Sequence, residues 1–223
     1  MHRTWSGAWC THARKAAHDG GSAAHAAYAA SLNSWVAWLA GDTSAALDAA
    51  AEARQLAARS GDPQVKALAE QHAAGAHALA GDHSACLAAV NRGHDLLTTA
   101  PAPAPSTPAY WVSHASIDHL LSSHLVLLNR PRDAVDAAQN ALAGFDRKYV
   151  TQSALCEVRL GRALVLAKEI PEAARVLGSA ARHADLSPRL TAELRDIRAL
   201  LHPWAGSRPV QNLDTQLHTY GLN

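Results

Sequence analysis

Histidine is the side chain that first suggests chemistry in this sequence: there are 14 among 223 residues. His114, His119 and His124 recur every five residues, and His72 and His77 share that spacing. Five residues of α-helix turn through about 500°, which leaves such neighbours about 140° apart. Successive histidines therefore do not share a helical face, and the i, i+4 pair of an HExxH zinc site is missing. A metal would need ligands from separate helices, with His72 or His77 meeting His114 or His119, and three or more groups converging. His114 and Asp118, at i, i+4, do share a face. A carboxylate there orients an imidazole and raises its basicity. The plainer reading is a surface contact worth about 0.2–0.5 kcal/mol. No GxSxG, phosphate-loop or dinucleotide-binding motif accompanies these residues, and no cofactor is expected.

The elements that must position these groups announce themselves by a recurring turn. Leu39-Ala40-Gly41-Asp42 precedes Ala46-Leu47, and Leu79-Ala80-Gly81-Asp82 precedes Cys86-Leu87 at the same spacing. Weaker copies are Leu128-Asn129 before Ala134-Val135 and Ala167-Lys168 before Ala173-Ala174. A period near 40 residues in an Ala-rich sequence is the mark of a helical solenoid. Glycine ends each helix in a left-handed conformation and aspartate caps the next. Ser60-Gly61-Asp62-Pro63 repeats that logic, with Pro63 in a first turn. The units fall at 22–60, 62–99, 110–146 and 148–186, with the Pro-rich stretch 100–109 inserted between the second and third. That stretch reads as an extended inter-repeat loop or a ligand for a proline-reading domain. Residues 1–21 form an N-terminal cap carrying Trp5 and Trp9. Residues 188–222 form a C-terminal cap, with Leu190, Leu194, Ile197 and Leu201 on one face and Val210, Leu213, Leu217 and Tyr220 on another. The expected architecture is one all-α domain over 1–223, a right-handed superhelix of about four helix pairs with caps.

Composition narrows the function. Twenty basic and 19 acidic residues leave a net charge of +1. No basic stripe of the kind that holds nucleic acid is present. No run of 18 apolar residues and no secretory leader occur, so the expectation is a cytoplasmic protein without a membrane span. The three cysteines, Cys10, Cys86 and Cys156, form no CxxC motif or disulfide framework. Cys86 occupies a small-residue position and is expected to be a buried small hydrophobe.

The repeat unit resembles the tetratricopeptide repeat: a small residue midway in the first helix, a Gly-Asp-like turn, then two small residues in the second. Leu160-Gly161, Leu164, Ala173, Leu177 and Ala180 fit it best. Ser34, Gly41, Ala46 and Ala53 give the first unit, Ala74, Gly81, Cys86 and Gly93 the second, and Leu121-Ser122, Leu125, Ala134 and Ala141 the third. The period departs from the family's 34 residues. The tail, Leu201-His202-Pro203-Trp204 through Pro209-Val210 to Leu213-Asp214 and Leu217, resembles the C-terminal sensor region of actinobacterial Cro-type helix-turn-helix regulators. Residues 1–21 are too few to hold the DNA-binding domain, so the resemblance is to the sensor region alone.

In such arrays the first helix of each pair lines a concave face. Carried across, that face would comprise Tyr28, Ser31, Trp35, Gln71, Gly75, His119, Ser123, Val158 and Arg162, with Gln71 on a peptide backbone and Arg162 on a carboxylate. Trp38, at i+3 from Trp35, falls nearer the helix-pair core. The resemblance therefore implies a regulatory module that binds a peptide or protein partner. The competing class is an enzyme on the same scaffold, using interhelical His and carboxylates, with or without a metal, on a peptide or small molecule. A third is self-association, for which the N-terminal Trp pair offers a homodimer surface.

Overall fold

The computed structural model describes residues 12, 17, 19–146 and 148–222. The proposed N-terminal helix with Trp5 and Trp9 therefore lies outside the described residues. Among the described residues there is no strand, and the helices pack chiefly as sequence-adjacent pairs. They are α1 (Ala23–Ala40), α2 (Thr43–Ser60), α3 (Pro63–Leu79), α4 (His83–Thr98), α5 (His114–Leu127), α6 (Pro131–Gly144), α7 (Val150–Leu166), α8 (Ile170–Ala181), α9 (Pro188–Leu200) and α10 (Arg208–Thr219). The chain divides into two compact units, Met1–Leu128 and Asn129–Asn223.

The boundaries follow from capping chemistry. Asp42, Asp62 and Asp82 each accept a backbone N–H of the helix they open, at 3.0 Å from Ala45, 2.9 Å from Gln64 and 2.9 Å from Ala85. Each such cap contributes about 1 kcal/mol. Gly41 and Gly81 close the preceding helices at φ of 74° and 76°. The Gly81 N–H donates to Ala78 and the Asp82 N–H to His77, the paired closure of a left-handed helix end. The degenerate turns keep this conformation without glycine: Asn129 and Lys168 stand at φ of 56° and 65°. Lys168 N–H donates to Val165 and Glu169 N–H to Leu164, the same pattern as at Gly81. The helix expected from residue 110 begins instead at His114. Ser113 accepts from the Ser116 N–H while Ser116 Oγ accepts from the Ser113 N–H, and this reciprocal cap fixes the start.

In the first unit α1 pairs with α2 and α3 with α4, and α3 also packs on α1 and α5. Alanine makes these approaches close: Ala27, Ala30, Ala53, Ala57, Ala67 and Ala69 join Val65 and Leu68 in one core, and Ala46, Ala73, Ala74, Cys86 and Ala89 form another. The Ser34 hydroxyl donates to the Ala46 carbonyl at 2.9 Å, tying α1 to α2. Cys86 is fully buried, as its small-residue position predicts, and burial with help from Asp82 pushes its thiol up to about 11. Residues 101–106 are exposed, while Thr107, Ala109 and Val112 turn inward and anchor the end of the Pro-rich loop.

In the second unit α6 packs on α7, α7 on α8, α9 on α7, and α10 on α8. The caps bury Leu190, Leu194, Ile197, Leu201, Val210, Leu213 and Leu217. Tyr220 departs from the expected stripe: it follows the last turn of α10 and is 44% exposed.

Candidate functional site

Two constellations in the first unit stand out, and neither is the set predicted for the concave face. The larger is an open groove. Helices α2 and α4 both lie on α3 yet make no substantial contact with each other. Because the side chains between them are mostly alanine, a groove of about 920 Å³ opens there over α3. Ala51, Ala58 and Leu96 line its walls and Ala57 and Ala69 its floor. Glu70 of α3 is buried beneath it and uses both carboxylate oxygens. Oε1 accepts from Arg54 Nε of α2 at 2.9 Å, and Oε2 accepts from Arg92 Nε and Nη2 of α4 at 3.0 and 2.9 Å. Charge-assisted bonds of this kind are the stronger class. Both arginine side chains remain more than 40% exposed. Lys66 and Asp95 complete the charged lining.

The second constellation joins α4 to α5. Asp118 does not pair with His114 as the helical spacing suggests; it accepts at 3.1 Å from Nε2 of His94, a residue that helical spacing alone could not bring in. His94 Nδ1 meets His114 Nδ1 at 2.8 Å, with the rings parallel to within 5° and their centres 5.1 Å apart. The centre separation exceeds the nitrogen contact by about two ring radii, so the nitrogens lie on the line of centres. The rings are coplanar and edge to edge, joined by a straight N–H···N bond. One proton lies between the two nitrogens. Facing lone pairs in this geometry share a proton; they do not converge on a metal.

The predicted positions are placed as follows. Ser31 is fully buried and donates to the Ala27 carbonyl at 2.9 Å. Gln71 is buried, with Nε2 donating to the Ser116 carbonyl of α5 at 3.1 Å. Gly75 is buried where α3 meets α1 and α5, and a Cβ there would stand 2.9 Å from His124 Nε2 and 3.5 Å from Trp38 Cδ1. His119 is buried, and Tyr28, Trp35 and Ser123 are half-buried, with Tyr28 against the alanine core. In the second unit Val158 is fully buried and Arg162 half-buried. Ser31, Gln71, Gly75 and Val158 thus fill helix–helix contacts and offer no surface to a ligand. Close approach of Ala-rich helices closes the face that larger side chains would hold open. Trp38 packs on the core as expected, edge-on to His124 at 5.9 Å.

The members of the four-histidine alternative sit in unlike surroundings. His72 is enclosed, and burial pushes it down to about 4; His77 is half-buried and His114 is exposed. Among the described residues no three His, Cys, Asp or Glu side chains are arranged to hold a metal ion. No described helix is long and apolar enough to cross a membrane.

The two main constellations escaped the sequence because their members lie on different helices, Arg54 and Arg92 standing 16 and 22 residues from Glu70. One signal was present: Glu70 falls on the buried stripe of Ala67 and Ala74, at i+3 and i−4, where a carboxylate requires partners. The chain matches no protein-family model and no curated protein.

Proposed function

We propose that the protein is a tetratricopeptide-like binding module that takes a peptide or a segment of a partner protein into the groove over α3. The observation that carries this reading is the groove itself: about 920 Å³, walled by small apolar residues and edged by ordered charge. Ligand sites are typically concave, mostly apolar and fitted with a few placed polar groups. The recurring turns support a repeat architecture, and the resemblance of the tail to sensor regions suggests a regulatory setting. Binding would act by shifting the population of array conformations toward the one that grips the partner. The groove lies between second helices of the pairs, so the partner-binding face moves from the first helices to these.

Selection from a displayed peptide library tests this. Ala58 is exposed on the groove wall, so Ala58→Trp fills the groove without entering the core. Enriched peptides should bind the native chain and lose affinity for Ala58→Trp. Equal binding to both, or no enrichment, refutes the groove. A second reading, an enzyme on this scaffold, draws on the Asp118–His94–His114 array, which presents an exposed imidazole backed by a carboxylate. A panel of ester and peptide substrates assayed with the native chain and His114→Gln tests it. Turnover lost in the variant supports the reading, and no turnover by the native chain removes it.

A further inference from the structure

We infer that the occupant of the groove is an acidic peptide segment of a partner protein, its carboxylates received by Arg54 and Arg92; this rests on the binding reading above. Glu70 gives each arginine one oxygen and so holds two guanidiniums on opposite walls before any ligand arrives. Fixing rotamer-rich side chains in advance removes an entropic cost from association. Three N–H groups serve Glu70. Among the described residues the Nη groups of Arg54 and Nη1 of Arg92 make no hydrogen bond. An arginine in this position has donors for a second carboxylate, in the forked geometry that guanidinium provides.

The sign of the groove follows from its lining. Arg54, Lys66 and Arg92 face only Glu70 and Asp95, and Glu70 is enclosed beneath the surface. What reaches solvent is therefore mainly cationic. The shape favours a chain over a single small anion. Ala51, Ala58 and Leu96 offer apolar wall between the charges, which suits a segment carrying both acidic and aliphatic side chains. Nucleic acid requires a longer cationic track than three residues interrupted by Asp95.

The test is fluorescence anisotropy with three dye-labelled peptides that share an Ala/Leu framework and carry Glu, Gln or Lys at the same polar positions. The Glu peptide should bind about tenfold more tightly than the Gln peptide, and the Lys peptide most weakly. Arg92→Gln should erase the preference for Glu over Gln, with a melting curve recorded alongside. Ala58→Glu leaves the arginine–glutamate cluster intact, and should weaken the Glu peptide about tenfold while Ala58→Gln does not. Equal affinity for Glu and Gln peptides, both blocked by Ala58→Trp, overturns the acidic partner and leaves the groove a binding site. Failure of all three peptides to bind overturns both. Displacement of the Glu peptide by an equal concentration of inorganic phosphate overturns the peptide and assigns the arginines to a small anion.

Discussion

Lys168 and Gly81 do the same backbone work with different side chains, and exchanging them tests how the repeats have diverged. Both stand in the left-handed region, at φ of 65° and 76°, and both close a helix with the same pair of hydrogen bonds. A left-handed conformation costs an L-residue about 1–2 kcal/mol. Glycine avoids that but loses about 0.5–1 kcal/mol more backbone freedom on folding. Lys168 is exposed and forms no ion pair among the described residues, so Lys168→Gly removes no charge pairing there. The expected net gain is about 0.5–1 kcal/mol. A Cβ at position 81 would have nothing within 4 Å, so Gly81→Lys should lose a similar amount through the backbone alone, and the double exchange should nearly cancel. Lys168→Ala, which keeps the Cβ and the strain, should be close to neutral. Urea denaturation followed by circular dichroism reads these differences from midpoint shifts at constant slope. In thermal scans ~1 kcal/mol corresponds to about 2–4 °C for a chain of this size. A neutral or destabilising Lys168→Gly, or a Lys168→Ala that gains as much as Lys168→Gly, refutes the backbone argument.

Three further outcomes are expected. A Cβ at Gly161 would stand 2.5 Å from Cδ2 and 2.7 Å from Cγ of the buried Leu177; Gly161→Ala should cost about 1–2 kcal/mol after its helix-propensity gain, and Leu177→Ala should offset part of it in a double-mutant cycle. His72 is held to about 4 by burial, so the unfolded chain, with His near 6.5, binds the extra proton first as pH falls. Its contribution is fully present above about 6.5 and is lost toward 4, about 2 kcal/mol between pH 7 and pH 5; denaturation of His72→Gln should show that much less acid sensitivity. Cys86, buried and pushed up to about 11, should resist alkylation by iodoacetamide at mildly alkaline pH until urea unfolds the chain, and rapid labelling of the Cys86 peptide, read by mass spectrometry of the folded protein's digest, would contradict its placement.

The elements were largely legible because their signals are local. Gly41-Asp42, Gly61-Asp62-Pro63 and Gly81-Asp82 mark helix ends within a few residues, and the leucine stripe of α9 marks its buried face. The Ser113–Ser116 cap was a missed local signal, and it moved the start of α5. The candidate sites were less legible, for a physical reason. Positions carried over as a ligand face assume helices held apart by bulky side chains, whereas alanine and Gly75 let α1, α3 and α5 close on Ser31 and Gln71. Whether Arg54 reaches Glu70, or His94 reaches His114, depends on how neighbouring helices cross, which no spacing along one helix encodes.

Helix α3 shows what such a core means for substitution. Thirteen of its 17 residues are buried, and Ala67, Ala69, Ala73, Ala74, Gly75, Ala76 and Ala78 are among them. Side chains this short have no rotamers to freeze, so ordering them costs almost no side-chain entropy. They also have nothing left to truncate. Mutational damage in most protein cores comes from removing atoms and opening voids; at these seven positions it can come almost only from adding them. Tolerance at them therefore runs in one direction, and a scan to alanine, the usual way to find important positions, would register Leu68 and Glu70 but pass over these seven. A scan to valine or leucine would reveal them.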